Sequence, residues 1–224
     1  MSAAALPAIL PHALPLALPA IVNVVDLAGI AVFALTGALL AARLRQTFVT
    51  CAFFALVTGV GGGSVRDLLI GAPVFWVRDP WVAPVCLATA LVAWFSPRRW
   101  WAVDDETYGL LDWADALGLA AYAVLGTAKA LGYGVAPVPA MLMGVITGCV
   151  GGIIRDVLAG RPSILMRPEL YVTAAALSAG LFAGGFALGL PRGLVWPVAA
   201  LAGFALRGAA IRWRLALPAF GGGG

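Results

Sequence analysis

Residues 58–73 read TGVGGGSVRDLLIGAP, which sets three consecutive glycines and an adjacent arginine-aspartate pair inside an otherwise apolar run. A charged side chain at the centre of a membrane helix costs about 2.5–3.5 kcal/mol on insertion scales, and each glycine adds about 1 kcal/mol of helix penalty. A stretch carrying both must be compensated by its surroundings. Residues 147–162 read TGCVGGIIRDVLAGRP and align with it without a gap at an offset of 89 residues, Arg66 onto Arg155, with nine of sixteen positions identical. The same offset pairs Asp26 with Asp115, Gly29 with Gly118, Phe33 with Tyr122 and Gly37 with Gly126. The chain is therefore read as an internal duplication.

With 62% hydrophobic and 11% charged residues among 224, the chain carries far more apolar surface than one soluble core needs. This composition indicates an all-α polytopic membrane protein. The thirteen arginines and one lysine are dispersed toward the ends of apolar runs, which suits topology signals and argues against a nucleic-acid partner. Cys51, Cys86 and Cys149 lie far apart in apolar runs, and His12 is the only histidine, so neither a metal site nor a catalytic base is indicated. The glycine run opens no βαβ unit and has no Walker lysine, and there is no nucleophile elbow or HExxH motif. Nothing points to an enzyme or a cofactor.

Seven apolar runs of membrane length follow one another: about 21–42, 47–71, 80–96, 109–131, 135–160, 168–190 and 193–211. They divide the chain into a proline-rich N-terminal extension (1–20) and a first three-helix repeat (21–96). A cytoplasmic linker (97–108), a second three-helix repeat (109–190), a seventh helix (191–214) and a flexible C-terminal tail (215–224) complete it. Prolines at 7, 11, 15 and 19 argue that the extension is not a stable helix. Outside the spans, nine arginines fall in alternate loops and at the C-terminal end, against Arg78 and Arg192 on the other side. The N-terminus is thus expected outside the membrane and the C-terminus in the cytoplasm. Three spans per repeat turn the second copy upside down, which would bring the two glycine motifs together near mid-depth.

Gly61, Gly62 and Gly63, and Gly151 and Gly152 in the second copy, would let each helix kink or unwind and turn backbone carbonyls toward a water-filled path. Thr58 and Thr147, which open the two motifs, are secondary candidates. Arg66 and Asp67 point about 100° apart on a helix, so each is expected to find a partner elsewhere. A crossed scheme would pair Arg66 with Asp156 or Asp115, and Arg155 with Asp67 or Asp26. These charges either hold the fold or line a pore. Asp26 and Asp115 fall near helix starts, where capping is the plainer reading. Lys129, paired by the offset with Leu40, is a candidate for an anion contact or a gating charge, or else a snorkelling interfacial lysine.

Three spans, three inverted and one appended, with GGGSVRDLL in the second and GGIIRDVL in the fifth, resemble the trimeric intracellular cation (TRIC) channel family, specifically its prokaryotic members. The resemblance covers about residues 22–212. It implies a homotrimer in the cell (inner) membrane, in contact with membrane lipids, with a pore in each protomer that conducts potassium and other monovalent cations. The kinked second and fifth helices would form that pore, with Arg66, Asp67, Arg155 and Asp156 at or behind its wall. The competing class is a secondary transporter of a small solute such as an amino acid, because broken helices in inverted repeats equally serve alternating access.

Overall fold

The computed structural model describes residues 17–97, 109–166 and 168–218. His12, Arg98, Arg99, Arg167, most of the linker and the glycine tail lie outside them. Eight α-helices are described: α1 (Ala17–Arg43), α2 (Phe48–Leu69), α3 (Phe75–Arg78), α4 (Val82–Phe95), α5 (Leu110–Gly132), α6 (Pro137–Leu158), α7 (Val172–Ala187) and α8 (Arg192–Trp213). Five of them, α1, α2, α5, α6 and α8, are long and apolar enough to cross a membrane, while α4 and α7 are apolar but shorter. At 14 residues α4 spans roughly 21 Å, less than the roughly 30 Å hydrocarbon layer.

Helix boundaries repeat at the same offset because the local signals do. The residues just beyond α1 and α5, Arg45 and Gly134, both have positive φ, 54° and 79°. Beyond α2 and α6 the same left-handed turn falls on Gly71 and Gly160, at 68° and 64°. Glycine adopts this conformation without a Cβ clash, so three of the four stops are cheap and Arg45 is the strained one. Asp112 closes the start of α5 by accepting from the Gly109 amide at 3.0 Å, and Thr47 caps α2 by accepting from Thr50.

Two three-helix groups result: α1, α2 and α4 pack on one another, as do α5, α6 and α7. The groups join through α2 against α6 and α1 against α5, and α8 lies on α5 and α7. Between membrane helices the attraction comes from close packing rather than from exclusion of water, so small residues mark the seams. A Cβ on Gly37 would collide with the Phe54 carbonyl and the Thr58 hydroxyl; one on Gly126 would collide with Thr147.

Three expectations are corrected. First, α1 begins at Ala17, inside the stretch read as non-helical. Pro19 falls in its first turn, where the missing N–H has no intrahelical partner to lose. Second, α2 and α6 run through their glycines as uninterrupted helix, and none of Gly61–Gly63, Gly151 or Gly152 has positive φ. No unwound segment presents free carbonyls there. Third, the start of the tail is docked: Ala216 pairs with Glu169, and the Leu217 amide donates to the Pro168 carbonyl at 2.6 Å.

Candidate functional site

The glycines serve contact between the halves. A Cβ on Gly62 would fall on the Thr147 carbonyl oxygen, and one on Gly151 would lie 2.5 Å from the Thr58 carbonyl oxygen. Under the offset these are the same contact made twice, 62 to 147 and 151 to 58. Thr58 and Thr147 are thus the seats on which the opposing glycines rest. Gly61 is looser: a Cβ there would meet the flexible end of Ile154 at 3.0 Å and the Gly151 Cα at an ordinary contact distance of 3.6 Å. Gly63 and Gly152 face away from the crossing, against Phe75 and against the Tyr171 hydroxyl. The reciprocity extends to α1 and α5. Gly29 packs on Tyr122 and Gly118 on Phe33, and those two rings meet edge to face at 5.3 Å.

Each motif closes into a clasp at the end of its helix. The Arg66 Nε donates to Asp67 Oδ1 at 2.8 Å, and the Phe75 amide donates to Asp67 Oδ2 at 3.0 Å. In the second copy the Arg155 Nε donates to Asp156 Oδ1 at 2.9 Å, and the Ile164 amide donates to Asp156 Oδ2 at 3.1 Å. Each aspartate thereby ties its helix end to the backbone eight residues on. Neighbours therefore do pair, which overturns the crossed scheme between Arg66, Asp156, Arg155 and Asp67. The long arginine stem lets the guanidinium fold back onto the adjacent carboxylate despite the 100° between them. All four side chains are buried.

The other partners differ between the copies. In the first, Lys129 Nζ reaches across from α5 to Asp67, 2.8 Å from Oδ1 and 3.0 Å from Oδ2. Asp26 makes no ion pair among the described residues; its Oδ1 and backbone carbonyl accept from the Tyr122 hydroxyl at 3.1 and 2.9 Å. Asp26, Arg66, Phe75, Tyr122, Leu125 and Lys129 line a cavity of about 340 Å³. In the second copy Arg155 Nη1 donates to Asp115 Oδ1 at 2.9 Å and to the Thr36 hydroxyl at 3.0 Å. Asp26 and Asp115 therefore do not cap helices: the first lies nine residues into α1, and the second is committed to Arg155.

A family model described as a glycine transporter matches residues 23–98 and again 112–187, two matches 89 residues apart. A UPF0126 membrane protein of Vibrio cholerae is 39% identical over 202 residues, which cover 88% of this chain and 81% of that one. The UPF0126 inner membrane protein YadS of Escherichia coli is 37% identical over 203 residues, 87% and 94% of the two chains. Among solved structures, the TRIC channel orthologue of Rhodobacter sphaeroides superposes with a TM-score of 0.80 at 39% identity, over 87% of this chain and 99% of that one. The chain belongs to the TRIC family.

A second TRIC structure, described in terms of conductance through TRIC cation channels, superposes with a TM-score of 0.77 at 26% identity, over 90% of this chain and 98% of that one. The TRIC relatives of known structure are ion channels rather than enzymes. Like its relatives, this TRIC protein is a membrane protein.

Sequence reasoning missed Tyr122 and Thr36 as polar partners, because each lacks a polar counterpart in the other copy: Phe33 stands opposite Tyr122 and Leu125 opposite Thr36. Unequal pairs within an otherwise matching alignment were the available signal. It also counted Arg207 among the nine topology arginines in the loops and at the C-terminal end, whereas the structure places it inside α8 as a fully buried guanidinium 2.6 Å from Glu169 and over the Tyr171 ring at 5.3 Å. That residue lies outside the duplication, so no repeat exposes it.

Proposed function

We propose that this protein is a monovalent cation channel, chiefly potassium-permeable, with one pore in each protomer of a homotrimer. The pore runs along α2 and α6, in two three-helix repeats of opposite orientation followed by a seventh span, with the N-terminus outside and the C-terminus cytoplasmic. Arg66, Asp67, Arg155 and Asp156 border that path, and Gly61, Gly62, Gly63, Gly151 and Gly152 set how closely its two helices approach. The observation that carries this reading is the polar cavity beside the first clasp. Around it the carboxylates of Asp26 and Asp67 together match the charges of Arg66 and Lys129, so a hydrated cation would meet charged and polar side chains of no net formal charge, with Asp26 bound to no cation among the described residues. The reciprocal contacts of Gly62 with Thr147 and Gly151 with Thr58 support the inverted arrangement, since a two-fold relation makes each contact twice. Membrane lipids would cover the exposed apolar faces of the outer helices.

The test is recording from purified protein in planar bilayers under a potassium gradient. Unitary steps reversing near the potassium equilibrium potential are expected. Silence from folded protein, with saturable solute uptake by the same preparation, would sink the channel reading. A second reading, a carrier of a small amino acid by alternating access, has one observation in its favour: the cavity offers a carboxylate at Asp26 together with Arg66 and Lys129, groups suited to both ends of a zwitterion. The family model's description as a glycine transporter agrees with it. Glycine uptake into proteoliposomes discriminates, because a channel should give unitary current without saturable glycine flux.

A further inference from the structure

We infer that Thr36 is the positioning residue that holds Arg155 across the conduction path at its sealed end. The inference rests on the channel reading above and adds to it where the path is shut. The offset of 89 carries each residue of the cavity to a counterpart at the other clasp: Asp26 to Asp115, Arg66 to Arg155, Phe75 to Ile164, Tyr122 to Phe33, Leu125 to Thr36, Ala128 to Leu39 and Lys129 to Leu40. The first set surrounds about 340 Å³ of space, and every member of the second is buried. What is open at one end is therefore filled at the other.

Arg155 does the filling. Its guanidinium, on α6, bonds Asp156 on its own helix, Asp115 on α5 and Thr36 on α1. The first two partners belong to the same half of the molecule as Arg155, so Thr36 is its tie to the other half. The hydroxyl is oriented in advance by its own helix: it donates to the Phe33 carbonyl at 2.8 Å, which turns its lone pairs toward Arg155 Nη1. A buried guanidinium standing in a cation path blocks it by volume and by repulsion, and low local polarity strengthens that repulsion. At the open end Leu125 occupies the position of Thr36 and offers Arg66 no acceptor. To open the sealed end, α1 must part from α6 or the guanidinium must turn away, and either motion breaks the Thr36 bond. An interaction made only in the closed state biases the equilibrium toward that state by its own free energy.

The experiment is single-channel recording of wild type, Thr36→Val, Thr36→Ser and Leu125→Thr in the same bilayers, with detergent-solubilised melting temperatures to verify folding. Thr36→Val should shift the closed-to-open equilibrium about tenfold toward open, the size of one charge-assisted hydrogen bond. Unitary conductance and reversal potential should stay unchanged, and Thr36→Ser should gate like wild type. Leu125→Thr supplies an acceptor beside Arg66 and should shift the equilibrium toward closed. A folded Thr36→Val with wild-type open probability, or one that alters conductance or selectivity instead of gating, overturns the inference. If Thr36→Val does not fold, Leu125→Thr decides, and unaltered gating in it is the overturning result. Absence of unitary cation current from wild type would instead sink the channel reading, so the two failures are distinguishable.

Discussion

The clasp at Arg66 and the clasp at Arg155 have the same backbone frame and different surroundings. Both fold arginine onto the neighbouring aspartate, and both spend the second carboxylate oxygen on an amide eight residues further along. Around Arg66 lies a cavity, and around Arg155 there is solid packing with Asp115 and Thr36. The difference comes from α1 and α5, which face the two clasps and whose unequal pairs under the repeat include Phe33 and Tyr122, Thr36 and Leu125, Leu39 and Ala128, and Leu40 and Lys129. Tyr122 occupies Asp26 where Phe33 could not, and Asp115 is left for Arg155. Lys129 occupies Asp67 where Leu40 could not. A duplicated frame can thus enclose a cavity at one clasp and close packing at the other through a few side chains on the helices opposite.

The largest effect is expected where the two halves share a contact. Gly62→Leu should drive α2 off the Thr147 carbonyl and abolish both flux and the cooperative thermal transition, whereas Gly61→Ala, whose methyl presses on the Ile154 side-chain end and meets the Gly151 Cα at ordinary contact distance, should melt within a few degrees of wild type. Equal loss in both variants would mean the crossing is not the tight point.

Next comes the contrast between the clasps themselves. Arg155→Met leaves Asp115 and Asp156 buried without their cation and should cost about 3–5 kcal/mol in unfolding free energy. Arg66→Met should cost less, because Lys129 remains on Asp67 and the cavity admits water. The reverse order in denaturant titrations would break the assignment of sealed and open ends.

A double-mutant cycle of Lys129→Met with Asp67→Asn should return a coupling of about 1 kcal/mol or more, while a cycle of Arg66→Met with Asp156→Asn should be additive. Coupling in the second cycle alone would restore the crossed pairing.

The smallest change is Tyr122→Phe, which makes that position of α5 match Phe33 of α1. It removes one hydrogen bond to Asp26 and should cost about 1 kcal/mol in stability. If Asp26 draws cations into the cavity, the variant should keep its reversal potential, with conductance altered by less than about a factor of two; lost selectivity would show that the tyrosine hydroxyl itself meets the ion.

Length, apolar content and the repeat at 89 residues determined by themselves that the chain is helical, belongs in a membrane and is built twice. They do so because span length and gap-free identity are properties of order along the chain. Three of the four matched helix stops carried a signal in the sequence that was not used, since Gly71, Gly134 and Gly160 take left-handed turns through their own backbone freedom, whereas Arg45 carried none. Partnership was not legible. Whether Arg66 folds onto Asp67 or reaches Asp156 depends on where α5 and α6 stand, and a side chain several ångströms long has several acceptors within range. Nor could glycine spacing distinguish a broken helix from a close crossing, since a missing Cβ permits both. Tertiary structure decided that question by placing the Thr58 and Thr147 carbonyls where the absent Cβ atoms would have been.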